Sequence, residues 1–267
     1  MTSLPIVDGE ASGLGVLDRF RLDGRVAVVT GASSGLGAGF AVALAEAGAD
    51  LVLGARRLDR LDEVRREVDK VGRRALAIVT DVSDPEQCAA LVDAGVEQFG
   101  RLDVLINNAG LGSAVPALRE TPDEFRRVVE VNLHGAYWMA QACARVMPAG
   151  SSIVNVASVL ALVGSSAPQA AYTASKAGLV GLTRDLSNQW AGRYGIRVNA
   201  LAPGYVATEM TQAAGADALR DMVQRRATLG RLAEQHELDT AVVFLASPAS
   251  SYMTGVTLAV DGGMSGH

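Results

Sequence analysis

Tyr172 and Lys176 stand four residues apart in Tyr172-Thr173-Ala174-Ser175-Lys176, within a segment whose pattern predicts a helix over Ala170–Tyr194. At that spacing the phenol and the ammonium share one helix face and can act on one site. A free phenol, with a pKa of about 10, is almost wholly protonated at neutral pH. A lysine charge about 4 Å away, at an effective dielectric of ~20, favours the phenolate by roughly 4 kcal/mol before desolvation takes part of it back. The pair therefore reads as an acid/base able to exchange a proton with a substrate oxygen. Composition supports a special use for the lysine. Lys and Arg together number 24, yet only Lys70 and Lys176 are lysines. Lys70 ends a charged helical pattern and reads as a surface residue. Lys176 stands where a compact ammonium suits and a forked guanidinium fits badly.

The elements that must position this pair are short apolar runs alternating with helical patterns. Strands are expected at Val26–Thr30, Leu51–Ala55, Ala75–Thr80, Val104–Asn107, Ile153–Ala157, Ile196–Leu201 and Thr257–Val260. Helices are expected at Leu36–Gly48, Arg57–Val71, Pro85–Phe99, from Pro122 to about Met147, at Ala170–Tyr194 and at Glu234–Ala246, with a helical stretch at Glu209–Thr228. Strands without polar alternation, separated by helices, imply a parallel sheet covered on both faces. The prediction is a single-domain Rossmann-type doubly wound α/β fold, a seven-stranded parallel sheet with ligands at the carboxyl ends of its strands. Residues 1–20 read as a flexible arm ahead of a catalytic domain over 21–267.

Composition narrows the classes. The 267 residues are 49% hydrophobic, enough for one domain with a large core. The formal charge of −5 is scattered, so no basic footprint for nucleic acid is present. No signal peptide or membrane anchor is read, which predicts a cytoplasmic protein. Cys88 and Cys143 read as buried free thiols. The three histidines (His134, His236 and His267) are too dispersed for a local metal motif.

Thr30-Gly31-Ala32-Ser33-Ser34-Gly35-Leu36-Gly37 follows the first strand and opens the first helix. Glycines there let backbone approach a pyrophosphate, and the helix N-terminus favours its charge. The second strand ends at Ala55 without a carboxylate for a ribose 2′-hydroxyl, and Arg56-Arg57 follow. Arginine there accommodates a 2′-phosphate, with Arg56 the expected contact. NADP(H) is favoured and NAD(H) is the alternative. Ser34, where a second cation would help, pulls against the NADP(H) reading.

These motifs, with Asp81-Val82, Asn107-Asn108-Ala109-Gly110, Asn132, Ser158, Pro203-Gly204 and Asp261-Gly262-Gly263 in this order, resemble the short-chain dehydrogenase/reductase family from about Leu22 to Gly263. The resemblance implies that Asp81 and Val82 contact adenine and that Asn108, Ala109 and Gly110 line the adenosine side. Pro203, Gly204, Val206 and Thr208 would hold the nicotinamide carboxamide and diphosphate. Tyr172 would exchange the proton, Ser158 would bind the reacting oxygen, Lys176 would bind the nicotinamide ribose and lower the Tyr172 pKa, and Asn132 would fix a relay water. It also implies a homotetramer built through the helices at Pro122–Met147 and Ala170–Tyr194 and the last strand. One departure stands out: Ser158 and Tyr172 are one residue further apart than is commonest in the family, so the Gly164–Pro168 loop has its own shape.

The leading reading is reversible hydride transfer between a carbonyl compound and a secondary alcohol. The loops Leu111–Ala114, Leu160–Ala170 and Tyr205–Met222 carry few charges, which favours a small or medium neutral carbonyl compound or a polyol-type alcohol. A narrower alternative is 3-oxoacyl-[acyl-carrier-protein] reductase. It ranks second because Pro148–Ser152 hold no basic residue and Arg193 is a lone cation for an acidic carrier. The rival from another class is a dinucleotide-sensing module without turnover, which has no need of Asn132, Ser158, Tyr172 and Lys176 together.

Overall fold

The computed structural model describes residues 15–165, 167–207 and 216–266. Seven strands form one parallel sheet in the order β3-β2-β1-β4-β5-β6-β7: β1 (Val26–Thr30), β2 (Asp50–Ala55), β3 (Ala75–Val79), β4 (Val104–Asn107), β5 (Ser152–Val156), β6 (Arg197–Pro203) and β7 (Thr257–Val260). Five of them, β1, β2, β4, β5 and all but the first residue of β6, are buried throughout. That is why they read as unbroken apolar runs. The helices are α1 (Gly35–Glu46), α2 (Leu58–Lys70), α3 (Pro85–Phe99), α4 (Pro122–Val129), α5 (Gly135–Ala144), α6 (Ala170–Tyr194), α7 (Ala216–Arg226) and α8 (Gln235–Ala246).

One face of the sheet packs Phe40, Leu44, Leu61 and Leu238 into a core, and the other packs Leu91, Met139, Ile153 and Ile196. Cys88 and Cys143 lie in the second core as buried free thiols, and burial pushes Cys88 up to about 12. Phe20 meets Phe244 of α8 with ring centroids 6.0 Å apart, so the end of the predicted arm touches the body; residues 1–14 lie outside the described ones. A third, smaller cluster lies beyond the carboxyl ends of β5–β7. It gathers Val159, Leu160, Val223, Ala227 and Met264 around Tyr172 and Tyr205.

The helix expected from Pro122 to Met147 is three elements. α4 starts at a capping box between Thr121 and Glu124, a π-helical turn spans Glu130–His134, and α5 follows. Asn132 sits in that π turn, and its side-chain bonds reach sideways to Leu111 and Ser175, the sort of insertion that accompanies π turns at functional positions. Gly135 then lies against Val82, where an added Cβ would come within 2.7 Å of a Val82 methyl. The stretch expected at Glu209–Thr228 is described from Ala216, and its helix ends at Arg226.

Pro148–Ser152 lead into β5, whose first residue is Ser152, and therefore lie at the amino ends of the strands, where Gly150 accepts a bond from Arg25 at 3.0 Å. Arg193, near the carboxyl end of α6, stacks 5.3 Å from the Tyr194 ring centre. Neither belongs to the cleft described next, so the cations sought there do not bear on a carrier protein.

Candidate active site

β1 delivers the chain into a turn that only glycine tolerates. Gly31 and Gly35 have φ of +63° and +53°, a region that costs a side chain dearly. A Cβ on Gly37 would stand 2.4 Å from both the Gly31 carbonyl oxygen and Asn108 Nδ2. The turn is clipped to the segment after β4. Thr30 Oγ1 accepts bonds from Asn108 N at 3.0 Å and Ala109 N at 3.1 Å, and Asn108 Nδ2 donates to Thr30 O at 3.1 Å. Ser34, the N-cap of α1, makes no side-chain cap bond, so the first N–H groups of α1 have no side-chain partner from Ser34 and suit an anion.

At the rim stands the second arginine of the Arg56-Arg57 pair, for which no contact was expected. Arg57 Nη2 donates to Ser34 Oγ at 2.8 Å and Ser33 Oγ at 3.2 Å. Arg56 lines the same cleft, and its charge helps hold Asp81 below the usual carboxylate range. The larger cause is the Ser83 hydroxyl, 2.7 Å from the carboxylate, with burial opposing.

At the other end of the cleft α6 presents Tyr172 and Lys176. Lys176 is buried, and Nζ donates to Val156 O at 2.7 Å. Burial lowers its pKa to about 8. Tyr172 moves the opposite way from the sequence expectation. Burial raises its pKa, a hydrogen bond with Ser158 works against this, and nearby Tyr205 adds to the rise. Lys176 Nζ is 5.8 Å from the Tyr172 ring centre, and desolvation is the largest influence on the phenol. Ser158 Oγ also accepts from Leu160 N at 3.2 Å.

Asn132 braces this end from behind. Its Oδ1 accepts from Leu111 N at 2.7 Å, and its Nδ2 donates to Leu111 O and Ser175 Oγ, each at 3.0 Å. Ser175 in turn donates to the Tyr172 carbonyl at 2.7 Å. Gly110 completes the packing: a Cβ there would lie 3.3 Å from Asn132 Oδ1 and 3.5 Å from Lys176 Nζ. Below, Asn107 Nδ2 donates to Asn155 Oδ1 and Asn155 Nδ2 to Thr183 Oγ1, each at 2.9 Å, which ties β4, β5 and α6 together.

One cleft of about 590 Å³ joins the two ends. Gly31, Ser33, Ser34, Gly35, Leu36 and Arg56 line it at the glycine turn, and Asp81, Val82, Asn108, Ala109 and Gly110 along its middle. Ser158, Tyr172, Lys176, Pro203, Gly204 and Val206 close the far end. Gly37 and Asn132 stand just behind the wall, and Thr208 lies outside the described residues. Gly204 is pressed on the residue that follows β7, since a Cβ would fall 2.7 Å from Asp261 Cα. Besides Arg57, the cleft is lined by Gln169, Tyr205 and Leu219, which fall in the loops Leu160–Ala170 and Tyr205–Met222 expected at the substrate but were not named there individually. Lys70 pairs with Glu67 at 2.8 Å on the surface. Among the described residues no cluster of His, Cys, Asp or Glu is arranged to hold a metal ion.

Residues 31–265 match the family model described as enoyl-(acyl carrier protein) reductase. The chain is 41% identical over 252 residues to a 2-dehydro-3-deoxy-D-gluconate 5-dehydrogenase of Dickeya dadantii (strain 3937), spanning 93% of this chain and 98% of that one. The crystal structure of a short-chain type dehydrogenase/reductase from Mycobacterium marinum is similar at a TM-score of 0.89 and 35% identity, over 94% and 99% of the two chains. That of a gluconate 5-dehydrogenase from Burkholderia cenocepacia J2315, in complex with NADP and tartrate, is similar at a TM-score of 0.88 and 37% identity, over 95% and 100%.

Proposed function

Because the chain belongs to the short-chain dehydrogenase/reductase family and is an NAD(P)-dependent oxidoreductase acting on CH–OH groups, we propose that it interconverts a small or medium neutral polyol-type alcohol and its ketone with NADP(H), and that Tyr172, Ser158, Lys176 and Asn132 carry the chemistry. The observation that supports this most is the placement of Tyr172 beside Ser158 in the cleft that begins at the glycine turn. The turn suits a dinucleotide: Gly37 leaves room that a Cβ would fill, α1 offers its N-terminus, and Arg56 and Arg57 offer guanidinium donors for a 2′-phosphate. When bound, the dinucleotide supplies or accepts the hydride.

Reduction then needs a proton at the carbonyl oxygen. Tyr172, kept protonated by its raised pKa, is suited to donate it, and the Ser158 hydroxyl to hold that oxygen in place. Lys176, freed from the Val156 carbonyl, would reach the cofactor's ribose, and Asn132 holds the Leu111 backbone that borders the substrate. In the reverse direction Tyr172 must first lose its proton, which favours alkaline conditions. Lys176 is the single Lys or Arg among the described residues lining that end, and with it assigned to the cofactor no second cation is left to pair with an anionic substrate, which supports a neutral compound. Two features support assembly into a homotetramer: Phe125 and Tyr194 stay 39% and 48% exposed on α4 and α6, and Tyr252 is fully exposed near β7. Among the described residues no helix is long and apolar enough to cross a membrane, and we assign the protein to the cytoplasm. The test is NADPH absorbance during turnover of a panel of ketones by wild type and Tyr172→Phe. Phe keeps the ring and removes the proton, so turnover should collapse while NADPH still binds; a near wild-type kcat refutes the role of Tyr172.

A further inference from the structure

The substrate end of the cleft is walled mainly by hydrocarbon from Leu111, Val159, Leu160 and Leu219. Besides Ser158, Tyr172 and Lys176, two polar side chains interrupt that wall, Gln169 and Tyr205, and the chemistry above uses neither. Gln169 ends the loop that follows Ser158 and stands at the N-cap of α6, three residues before Tyr172. Side chains at that spacing begin about 5–6 Å apart.

Gln169 makes no cap bond. Its Oε1 instead accepts from Ser165 Oγ at 3.0 Å, and Ser165 Oγ accepts from Ala167 N at 3.0 Å. The Ser165 hydroxyl, which accepts the Ala167 N–H, donates its own proton to Oε1, and the amide nitrogen turns the other way. Nε2 therefore keeps both its hydrogens, without a protein acceptor among the described residues. The Tyr205 hydroxyl likewise has no hydrogen-bond partner among the described residues, and it lies near enough to influence Tyr172. Both side chains are half-buried, so a ligand that shuts water out of this wall must itself supply them with an acceptor. The loop holding Ser165 is itself tied to α7, where Arg226 donates to Gly164 O at 2.7 Å.

We propose that Gln169 and Tyr205 bind a second substrate oxygen next to the reacting one, so that the site selects vicinal diols for oxidation and α-hydroxy ketones for reduction. This rests on the carbonyl–alcohol reading and refines its substrate class. With the reacting oxygen at Tyr172 and Ser158, an oxygen on the adjacent carbon falls toward the helix end that carries Gln169. A substrate with a single oxygen would leave those donors unpaired, and sites built around such donors discriminate strongly.

The test compares kcat/KM for 2,3-butanediol with 2-butanol, using NADP+, and for acetoin with 2-butanone, using NADPH. Each pair shares a carbon skeleton. The full-length wild type should prefer the vicinal member by about tenfold or more. Gln169→Leu should cut that ratio about tenfold through KM, Tyr205→Phe should lower it as well, and Ser165→Ala, which only frees the amide to rotate, should lower it by about threefold. NADPH titration by fluorescence confirms that each variant is folded. A wild-type ratio near one, or a ratio that survives in all three variants, overturns the proposal and leaves the oxidoreductase reading standing. Failure of the wild type to turn over these compounds or any of the ketone panel removes that reading, and this proposal with it.

Discussion

Replacing Lys176 by Met should stabilise the cofactor-free protein at neutral pH while removing its turnover. Lys176 is 4% exposed, it donates to the Val156 carbonyl at 2.7 Å, and burial lowers its pKa from 10.5 to about 8. The unfolded chain thus binds this proton more tightly than the folded one. Below about pH 8 both states carry it, and the interval from 10.5 to about 8 costs the fold about 3 kcal/mol. Between those values the folded state releases the proton first, so stability rises with pH by up to about 1.4 kcal/mol per pH unit. Above 10.5 the penalty is gone. Methionine never pays it but leaves the Val156 carbonyl without that donor, a loss of about 1–3 kcal/mol. The variant should therefore gain up to about 2 kcal/mol at pH 7 and lose its advantage, or fall behind, near pH 10. Urea unfolding of both proteins at equal concentration, followed by circular dichroism across that range, reads the difference directly. A variant less stable than wild type at pH 7, or a gap that does not change with pH, would refute the reasoning. A lysine held at such cost is the signature of a group kept for function.

Cofactor choice should rest on both arginines at the rim. NADP(H) should be preferred over NAD(H) by about ten- to a hundredfold in kcat/KM, and Arg56→Ala and Arg57→Ala should each erase about tenfold of it. An unchanged ratio in Arg57→Ala would show that this guanidinium only staples Ser33 and Ser34. The raised pKa of Tyr172 sets a pH dependence with a sign: ketone reduction should hold through about pH 9 while alcohol oxidation climbs over the same range. A reduction rate lost by neutral pH would mean that some other group supplies the proton. Light scattering at micromolar protein should give four times the 27.7 kDa chain mass; a monomer there ends the assembly proposal.

The strands were legible because burial on both sheet faces leaves no polar alternation, as in Val26–Thr30 and Val104–Asn107, and doubly wound topology follows from their alternation with helices. The π turn at Glu130–His134 was not. It adds one residue to a turn without altering the flanking helical pattern, and its only trace was a polar Asn132 where a helix former was expected. The orientation of the sheet was legible in principle: residues ahead of a parallel strand sit at its amino end, which alone removes Pro148–Ser152 from the cleft. Arg56 and Arg57 are identical neighbours, and which one reaches Ser33 and Ser34 depends on how the chain leaves β2, a backbone angle that composition does not encode. The residues that motif spacing picked out face a cofactor, whose phosphates and ribose demand close backbone and fixed charge. Gln169 and Tyr205 come from segments whose course depends on how one loop closes over α6 and on how β6 leaves the sheet, so their meeting at Tyr172 is a tertiary fact. The same distinction explains where substrate choice can vary: Ser165 and Gly164 hold Gln169 and α7 through two hydrogen bonds, so changes in that loop can redirect the amide without touching the proton donor.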